Sequence, residues 1–136
     1  MDQFFDCSDV LTVDNTAYDY ATPDYRLVIP PPDQYLMIGQ IAIAGDSNFF
    51  SNGRMQIRIN GRSVTAKAGS QAEVHVLTFA TFESKSQDFL FVEPNHSIEI
   101  NARVTGGSAQ AQFMVTGTLL SRDEFERRRK AYLEGR

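Results

Sequence analysis

The sequence contains few of the residues that metal and redox sites use. Its 136 residues include one cysteine, two histidines and no tryptophan. A single cysteine excludes a disulfide within the chain, and no base adjoins Cys7 in the sequence to activate its thiol. A metal site needs several His, Cys or carboxylate groups close together, so we expect His75 and His96 to be structural or solvated. We therefore expect neither a metal nor a cofactor.

Signals for membranes and secretion are also missing. No apolar run approaches the roughly 20 residues that a membrane-spanning helix needs. The first ten residues, MDQFFDCSDV, are acidic and contain neither a basic region nor an apolar segment, so we expect no signal peptide. These features predict a protein that is made in a cytoplasm and has no membrane partner.

Catalytic motifs are equally scarce. The chain has no G-x-S-x-G nucleophile elbow, no P-loop and no G-x-G-x-x-G. We interpret Gly106-Gly107 as a turn, not as a phosphate-binding loop. A small hydrolase is an alternative, and it would require a deep polar pocket around His75 or His96. We predict a protein without enzymatic activity.

What the sequence does contain is a series of alternating segments. Residues 97–105 and residues 109–120 each alternate apolar and polar side chains, and Gly106 and Gly107 lie between them. Alternation with a period of two predicts strands that are buried on one face. We interpret these two segments as one antiparallel hairpin.

Two further segments predict strands. Residues 54–67 form the clearest hairpin signal, because Asn60-Gly61 supplies the positive φ angles of a type I′ turn. Residues 35–44, YLMIGQIAIA, are nearly all apolar and predict a strand at the centre of a sandwich. Gly39 within that strand indicates a bulge or a close backbone approach.

Together the segments give about eight strands, spaced by turns as in sandwiches and barrels. We predict an all-β fold, an antiparallel β-sandwich with the topology of a jelly roll. We divide the chain into an extended acidic arm (1–33), a sandwich domain (34–120) and a charged helix (121–136). Three prolines at residues 30–32 predict a stiff spacer at the end of the arm.

The last segment has the signals of a capped helix. Ser121 and Glu124 are spaced as a capping box, and Leu120 and Phe125 occupy the two positions of a hydrophobic staple. A narrow apolar stripe continues from Phe125 to Tyr132. Because so short and charged a helix is marginal alone, we expect it to pack on the sandwich or on a neighbouring molecule.

Charge is distributed unevenly along the chain. Residues 1–33 contain seven aspartates and one arginine, a net charge of −6, whereas residues 121–136 have a net charge of +2. Opposite charges can steer the head of one copy towards the tail of another, although both ends could simply be solvated. The run RRRK at 127–130 could neutralise phosphates. It winds around a helix and is flanked by acids, so we favour an acidic protein surface over nucleic acid as its partner.

The chain resembles the small β-sandwich structural proteins of phages and other icosahedral virions, the capsid, decoration and head-attachment subunits. The resemblance is carried by residues 97–120 with the short charged helix directly after them, and by the extended segment before Tyr35. It implies a non-enzymatic virion protein, a homo-oligomer that contacts its own copies and other virion proteins through the arm and the helix. It also implies location in the virion after synthesis in the host cytoplasm.

The candidate subunit contacts are aromatic residues and bases, most of them in the two ends of the chain. They are Phe4, Phe5, Tyr18, Tyr20, Tyr25, Phe49, Phe50, Phe125, Arg128, Arg129 and Tyr132. Of the adjacent Phe49 and Phe50, we expect one to cap the core and leave the other open. The alternative function is a carbohydrate- or receptor-binding β-sandwich of a phage appendage, with a host glycan as its partner, because tyrosine rings can stack on sugars.

Overall fold

The computed structural model describes residues 2–28, 33–64, 73–76 and 90–135. The strands and helices in these residues follow this order along the chain: β1 (Asp2–Cys7), β2 (Leu11–Val13), β3 (Tyr25–Val28), β4 (Tyr35–Gly45), α1 (Ser47–Asn52), β5 (Gly53–Ile59), β6 (Arg62–Ser63), β7 (Val74–His75), β8 (Phe91–Val92), β9 (Ser97–Val104), β10 (Ala109–Leu120) and α2 (Arg122–Glu134). None of the helices in the described residues has the length and apolar character to cross a membrane.

The strands form two antiparallel sheets. The first sheet has the order β1-β10-β4-β8, and β2 pairs with β10 beyond the end of β1. The second sheet has the order β3-β9-β5-β6, and β7 pairs with β5 beyond the end of β6. β1 with β2, and β6 with β7, therefore each fill one strand position, which leaves eight positions in the sandwich.

The strand order is that of a jelly roll. When the eight positions are numbered along the chain, the two sheets read 1-8-3-6 and 2-7-4-5. Successive strands thus alternate between the sheets, except positions 4 and 5, which are neighbours in the second sheet, as in the double Greek-key pattern of that fold. The prediction of an all-β antiparallel sandwich is confirmed.

Side chains that point inward from both sheets form one core. Ile98 and Ile100 on β9 and Phe113 and Val115 on β10 are fully buried, as the alternation predicts. Burying one face of each sheet against the other is the main source of stability in such a sandwich.

The predicted hairpin between β9 and β10 is wrong. β9 pairs with β3 and β5 in the second sheet, whereas β10 pairs with β1, β2 and β4 in the first. Residues 105–108 cross between the sheets, with Gly107 at a φ of 69°. Alternation reports which face of a strand is buried, and it carries no information about the strand beside it.

The N-terminal segment also differs from the expectation of a separate extended arm. β1 and β2 complete one edge of the first sheet, and β3 completes one edge of the second. Unpaired backbone groups of β9 and β10 are thereby satisfied within the same chain. The boundary at residue 33 does not separate an arm from the sandwich, and the proline spacer at 30–32 lies outside the described residues.

Two local predictions around glycine are confirmed. Asn60 and Gly61 have φ angles of 56° and 76°, as a type I′ turn requires. The register between β10 and β4 shifts between Thr116 and Gly117, which leaves Gly39 as the extra residue of a bulge.

Phe49 and Phe50 lie in helix α1. The Asp46 side chain caps it by accepting a hydrogen bond from the Phe49 N–H at 3.0 Å. Phe49 is fully buried, which confirms that one of the two phenylalanines caps the core. Phe50 is partly buried and packs against that core.

Helix α2 begins as the sequence predicts. The Ser121 hydroxyl accepts a hydrogen bond from the Glu124 N–H at 3.3 Å. The Glu124 carboxylate does not complete a reciprocal capping box, because it accepts hydrogen bonds from Arg127 and Arg128 instead. Leu120 and Phe125, the two staple residues, are both buried.

Candidate interaction surfaces

The outer face of the first sheet bears no charge on its three longest strands. Cross-strand pairing places one row of residues from β1, β10 and β4 on this side, opposite the buried row. The row consists of Gln3, Phe5, Cys7, Gln112, Met114, Thr116, Thr118, Met37, Gln40, Ala42 and Ala44. We call this surface the uncharged face.

Phe5 is the most prominent side chain of the uncharged face. It lies opposite Thr116 on β10 and is 66 % exposed, whereas its neighbour Phe4 points inward and packs against the core. Large exposed apolar side chains that lie among other uncharged groups mark contact surfaces more often than scattered ones do.

Helix α2 covers one end of this sheet. The Phe125 ring stacks on the Tyr35 ring with 4.1 Å between ring centroids, and Phe91 packs against it at 4.7 Å. Leu120 and Phe125 are 1 % and 2 % exposed. Phe125 therefore holds the helix on its own protomer.

The basic residues of α2 differ in their availability. Arg127 and Arg128 each bind the Glu124 carboxylate, at 2.5 and 3.0 Å. Arg129 is exposed and forms no ion pair within the part of the chain that the structure describes. Leu133, one turn beyond Arg129, is 53 % exposed, while Tyr132 is partly buried. The pKa of Glu124 is lowered to about 2 by its hydrogen bonds to the two arginines.

The outer face of the second sheet is charged, and several of its charges form ion pairs. The Glu99 carboxylate lies 2.7 Å from the Arg26 guanidinium and 3.2 Å from that of Arg58. Glu73 and Arg103 form a second pair at 2.8 Å. These ion pairs lie within one protomer and join the strands of the second sheet to one another and to Glu73.

Two tyrosines from the segment between β2 and β3 lie over the same face. The Arg58 guanidinium carbon is 4.5 Å from the centre of the Tyr20 ring, and that of Arg103 is 6.0 Å from the centre of the Tyr18 ring. Burial and the neighbouring Glu73 carboxylate raise the pKa of Tyr18. Both rings are thus engaged by arginines of their own sheet.

A cavity of about 230 Å³ lies between this segment and β9. Its lining includes three carboxylates, those of Asp14, Asp19 and Asp24, together with Tyr18 and Asn101. No lysine or arginine is among its described lining residues. We call it the acidic cavity.

The carboxylates of the acidic cavity are held by backbone groups. Asp24 accepts a hydrogen bond from the Ala102 N–H at 2.8 Å, and Asp14 accepts one from the Thr16 N–H at 2.9 Å. Burial, and then the Asp14 charge, raise the pKa of Asp24, although the bond to Ala102 opposes them. Hydrogen bonds from Thr16 lower the pKa of Asp14. Fixed carboxylates in a lining without a basic residue produce a negative potential in the cavity, while Arg103, next to Ala102 on β9, is held by Glu73 and Asn15.

Asn101 lies at the wall of the acidic cavity and is 3 % exposed. Its carboxamide forms no hydrogen bond to any group in the described residues. Buried carboxamides are nearly always hydrogen-bonded in folded proteins. Asn101 therefore offers an unused polar group to a ligand.

A second cavity of about 340 Å³ lies beside His96. The His96 Nε2 is 3.5 Å from a Glu93 carboxylate oxygen. Serine, threonine and cysteine are absent from the described lining, and His75 lies elsewhere, bonded to the Ser51 carbonyl at 2.9 Å. The hydrolase alternative requires a nucleophile beside this histidine–carboxylate pair, and the described lining contains none. The described residues also contain no group of three His, Cys, Asp or Glu side chains that could hold a metal.

The structure sorts the predicted contact residues by burial. Phe49, Tyr25 and Phe125 are 0 %, 6 % and 2 % exposed, so their assignment as subunit contacts is corrected. Tyr25 faces the core because it lies on the inner side of β3, where its hydroxyl donates a hydrogen bond to Asp6. The other candidates do not form one cluster: Phe5, Tyr20 and the α2 bases lie on three different surfaces.

Two functional features, the uncharged face and the Asn101 carboxamide, were not predicted from the sequence. The uncharged face could have been found from the lack of charge at every second position of residues 3–7, 37–44 and 112–118. The unused carboxamide of Asn101 had no such signal, because a polar residue on an outward position of a strand predicts only a solvated side chain.

Comparisons of the chain with protein-family models, with curated proteins and with solved structures found no match. The functional conclusion therefore depends on the fold and on the chemistry of these surfaces.

Proposed function

We propose that this protein is a non-enzymatic structural subunit of a virion, a capsid or decoration component that assembles with its own copies and other virion proteins. The observation that carries the proposal is the uncharged face, with Phe5 66 % exposed on β1, the strand at its edge. The jelly-roll fold is compatible with this role, since capsid domains use it, but lectins and cupins use it too.

The uncharged face has the properties of a contact surface. Burying it against another protein removes no charge from water, so the desolvation penalty of ion pairs does not arise. Burial of Phe5 and Met114 would contribute about 25 cal/mol for each Å² of apolar area. Pairing of this face with the same face of a second copy would form a two-fold interface, in which both copies use one patch.

Helix α2 extends this surface at one end of the sheet. Phe125 fixes the helix on Tyr35 at the edge of the uncharged face, while Leu133 on its outer side is 53 % exposed. The N-terminal strand β1 and the C-terminal helix α2 would thus contribute neighbouring contacts to the proposed interface between subunits.

The carbohydrate-binding alternative depends on free tyrosine rings. Tyr20 and Tyr18 are covered by Arg58 and Arg103, so their faces are less available to a sugar. This observation favours the structural subunit.

The test is the association state of Phe5→Glu, measured by light scattering and sedimentation over a range of concentrations. We expect the wild-type chain to associate and the variant to associate at least tenfold more weakly, since a buried charge costs more than the 1.4 kcal/mol that a factor of ten requires. Val10→Glu is the matched control, because Val10 is 61 % exposed in the same segment but lies outside the strands of the uncharged face.

Circular dichroism must show that both variants stay folded. A wild-type chain that is monomeric at every concentration, or equal association of the two glutamate variants, would refute the proposal.

A further inference from the structure

The acidic cavity and helix α2 lie at opposite ends of the longest strand. Val13, just before Asp14, pairs with Ala109 at the start of β10, and Leu120 at its end directly precedes the Ser121 cap. The strand has 12 residues. At about 3.4 Å per residue in an antiparallel strand, about 37 Å separates the two ends.

Charges at this distance do not neutralise each other within one molecule. The screening length at physiological ionic strength is about 8 Å, far less than the length of β10. The cavity has no basic group in its described lining, and Arg129 forms no ion pair in the described part of α2. Both ends therefore keep an unsatisfied charge of opposite sign.

The cavity offers several hydrogen-bond acceptors to a cation. Hydrogen bonds within the described residues occupy Oδ1 of Asp14 and Oδ2 of Asp24, which leaves one oxygen of each carboxylate available. The Asn101 carboxamide provides a third acceptor and is itself without a partner in that part of the chain. A guanidinium group has five donors in one plane and matches such a set better than an ammonium does.

We propose that the acidic cavity binds the Arg129 guanidinium of a second copy of this chain, so that copies join head to tail. The proposal rests on the self-association in the proposed function, but it joins helix α2 to the acidic cavity and does not use the strand residues of the uncharged face. Arg129 is selected over Arg127 and Arg128 because Glu124 already holds those two. Leu133 lies one turn away on the same side of the helix and adds an exposed apolar contact.

A contact between two different patches has a geometric consequence. Each copy keeps a free cavity or a free helix after it binds one neighbour, so the contact generates a closed ring or an open chain of subunits. A two-fold contact through the uncharged face stops at a dimer. The two kinds of association can therefore be measured separately.

The experiment uses the full chain with Phe5→Glu in every sample, which removes association through the uncharged face. In this background we expect salt-sensitive association that Arg129→Glu weakens at least tenfold. Arg122→Glu is the matched control, since Arg122 is an exposed arginine of the same helix to which no partner is assigned. Asp14→Arg should weaken association to the same extent as Arg129→Glu.

The decisive sample is a mixture of Asp14→Arg with Arg129→Glu. One copy then has an intact helix and the other an intact cavity, so we expect one-to-one dimers that do not grow further. A mixture that stays monomeric, an Arg129→Glu variant that behaves like Arg122→Glu, or a background protein that never associates would overturn the proposal.

A saccharide is the competing occupant of the cavity. Saturable binding on a glycan array that Asp14→Arg abolishes and Arg129→Glu leaves unchanged would reassign the cavity to carbohydrate and would also overturn the proposal. None of these results depends on whether Phe5 contributes to assembly, so failure here is distinguishable from failure of the proposed function.

Discussion

The Phe125 ring lies on the Tyr35 ring, with centroids 4.1 Å apart and ring planes 9° from parallel. Tyr35 is the first residue of β4 and pairs across the sheet with Leu120, the last residue of β10. The hydrophobic staple of Leu120 and Phe125 at the start of α2 therefore also contacts the first sheet, through Tyr35. Through this contact the helix is anchored to the sandwich.

Phe125→Ala should destabilise the protein by about 3 kcal/mol or more, as expected for truncation of a buried phenylalanine. The loss includes the ring contacts to Tyr35 and Phe91 and the cavity left between them. Urea unfolding at a concentration where the chain is monomeric measures the change.

Leu133→Ala is the control for this substitution. It truncates an apolar side chain on the same helix at a site that is 53 % exposed, so its effect should stay within about 0.5 kcal/mol. If the two variants unfold at the same urea concentration, the helix is not anchored by Phe125.

Several local features could be predicted from the sequence because their causes are local. The positive φ angles of Asn60 and Gly61 and the Ser121 cap each depend on residues within one turn of one another, and the glycine at position 39 by itself indicated the bulge. The buried faces of β9 and β10 follow from the period of their own side chains. Such signals persist whatever the rest of the fold does.

The pairing of strands could not be predicted in the same way. β3 is 73 residues or so from its partner in sequence, as the Arg26–Glu99 contact shows, and nothing in the alternation of either strand names the other. The burial of the predicted subunit-contact residues could not be predicted for the same reason, because it depends on strands that are distant in sequence. Tyr25 and Phe49 are aromatic residues in polar surroundings in the sequence, yet the fold turns both towards the core.

Gly117→Ala should prevent close pairing of β10 with β4 at the bulge. A Cβ atom on Gly117 would lie 2.1 Å from the Met37 carbonyl oxygen, which is backbone and cannot move aside alone. We expect a loss of about 2 kcal/mol or more in the free energy of unfolding, the range found for overpacked cores. Thermal and urea unfolding of the variant test this.

Gly106→Ala gives the opposite expectation. A Cβ atom there meets no atom within 4 Å, and the φ of Gly106 is not in the left-handed region. The smaller entropy of the unfolded chain should stabilise this variant by about 0.4–1 kcal/mol. Equal effects of the two alanines would show that the close approach at Gly117 is not a constraint.

Asn60→Ala should loosen the connection between the two sheets. The Asn60 carboxamide donates to the Phe91 carbonyl and accepts from the Glu93 N–H, both at 2.9 Å, and so joins the β5–β6 turn to β8. Each lost hydrogen bond costs about 1 kcal/mol, in addition to the cost of placing alanine at a positive φ. Asn95→Ala isolates that second cost, because Asn95 has a φ of 64° and no side-chain hydrogen bond in the described residues. We expect Asn60→Ala to be the less stable of the two by about 2 kcal/mol, and no difference in unfolding would rule out the bridging role.

Glu124→Gln should change the pH dependence of the free energy of unfolding. Its two arginine partners lower the pKa of Glu124 from 4.5 to about 2 in the folded protein. A depressed folded-state pKa contributes stability that is fully present above the unfolded-state value and is lost as pH falls through the folded-state value. The difference in unfolding free energy between the wild type and Glu124→Gln should therefore be constant above about pH 5 and shrink towards zero near pH 2.

Glu126→Gln, on the same helix without an ion pair in the described part of the chain, should show no such change. A difference for Glu124→Gln that stays constant down to the acid limit would mean that the two arginines do not stabilise the folded helix through this carboxylate.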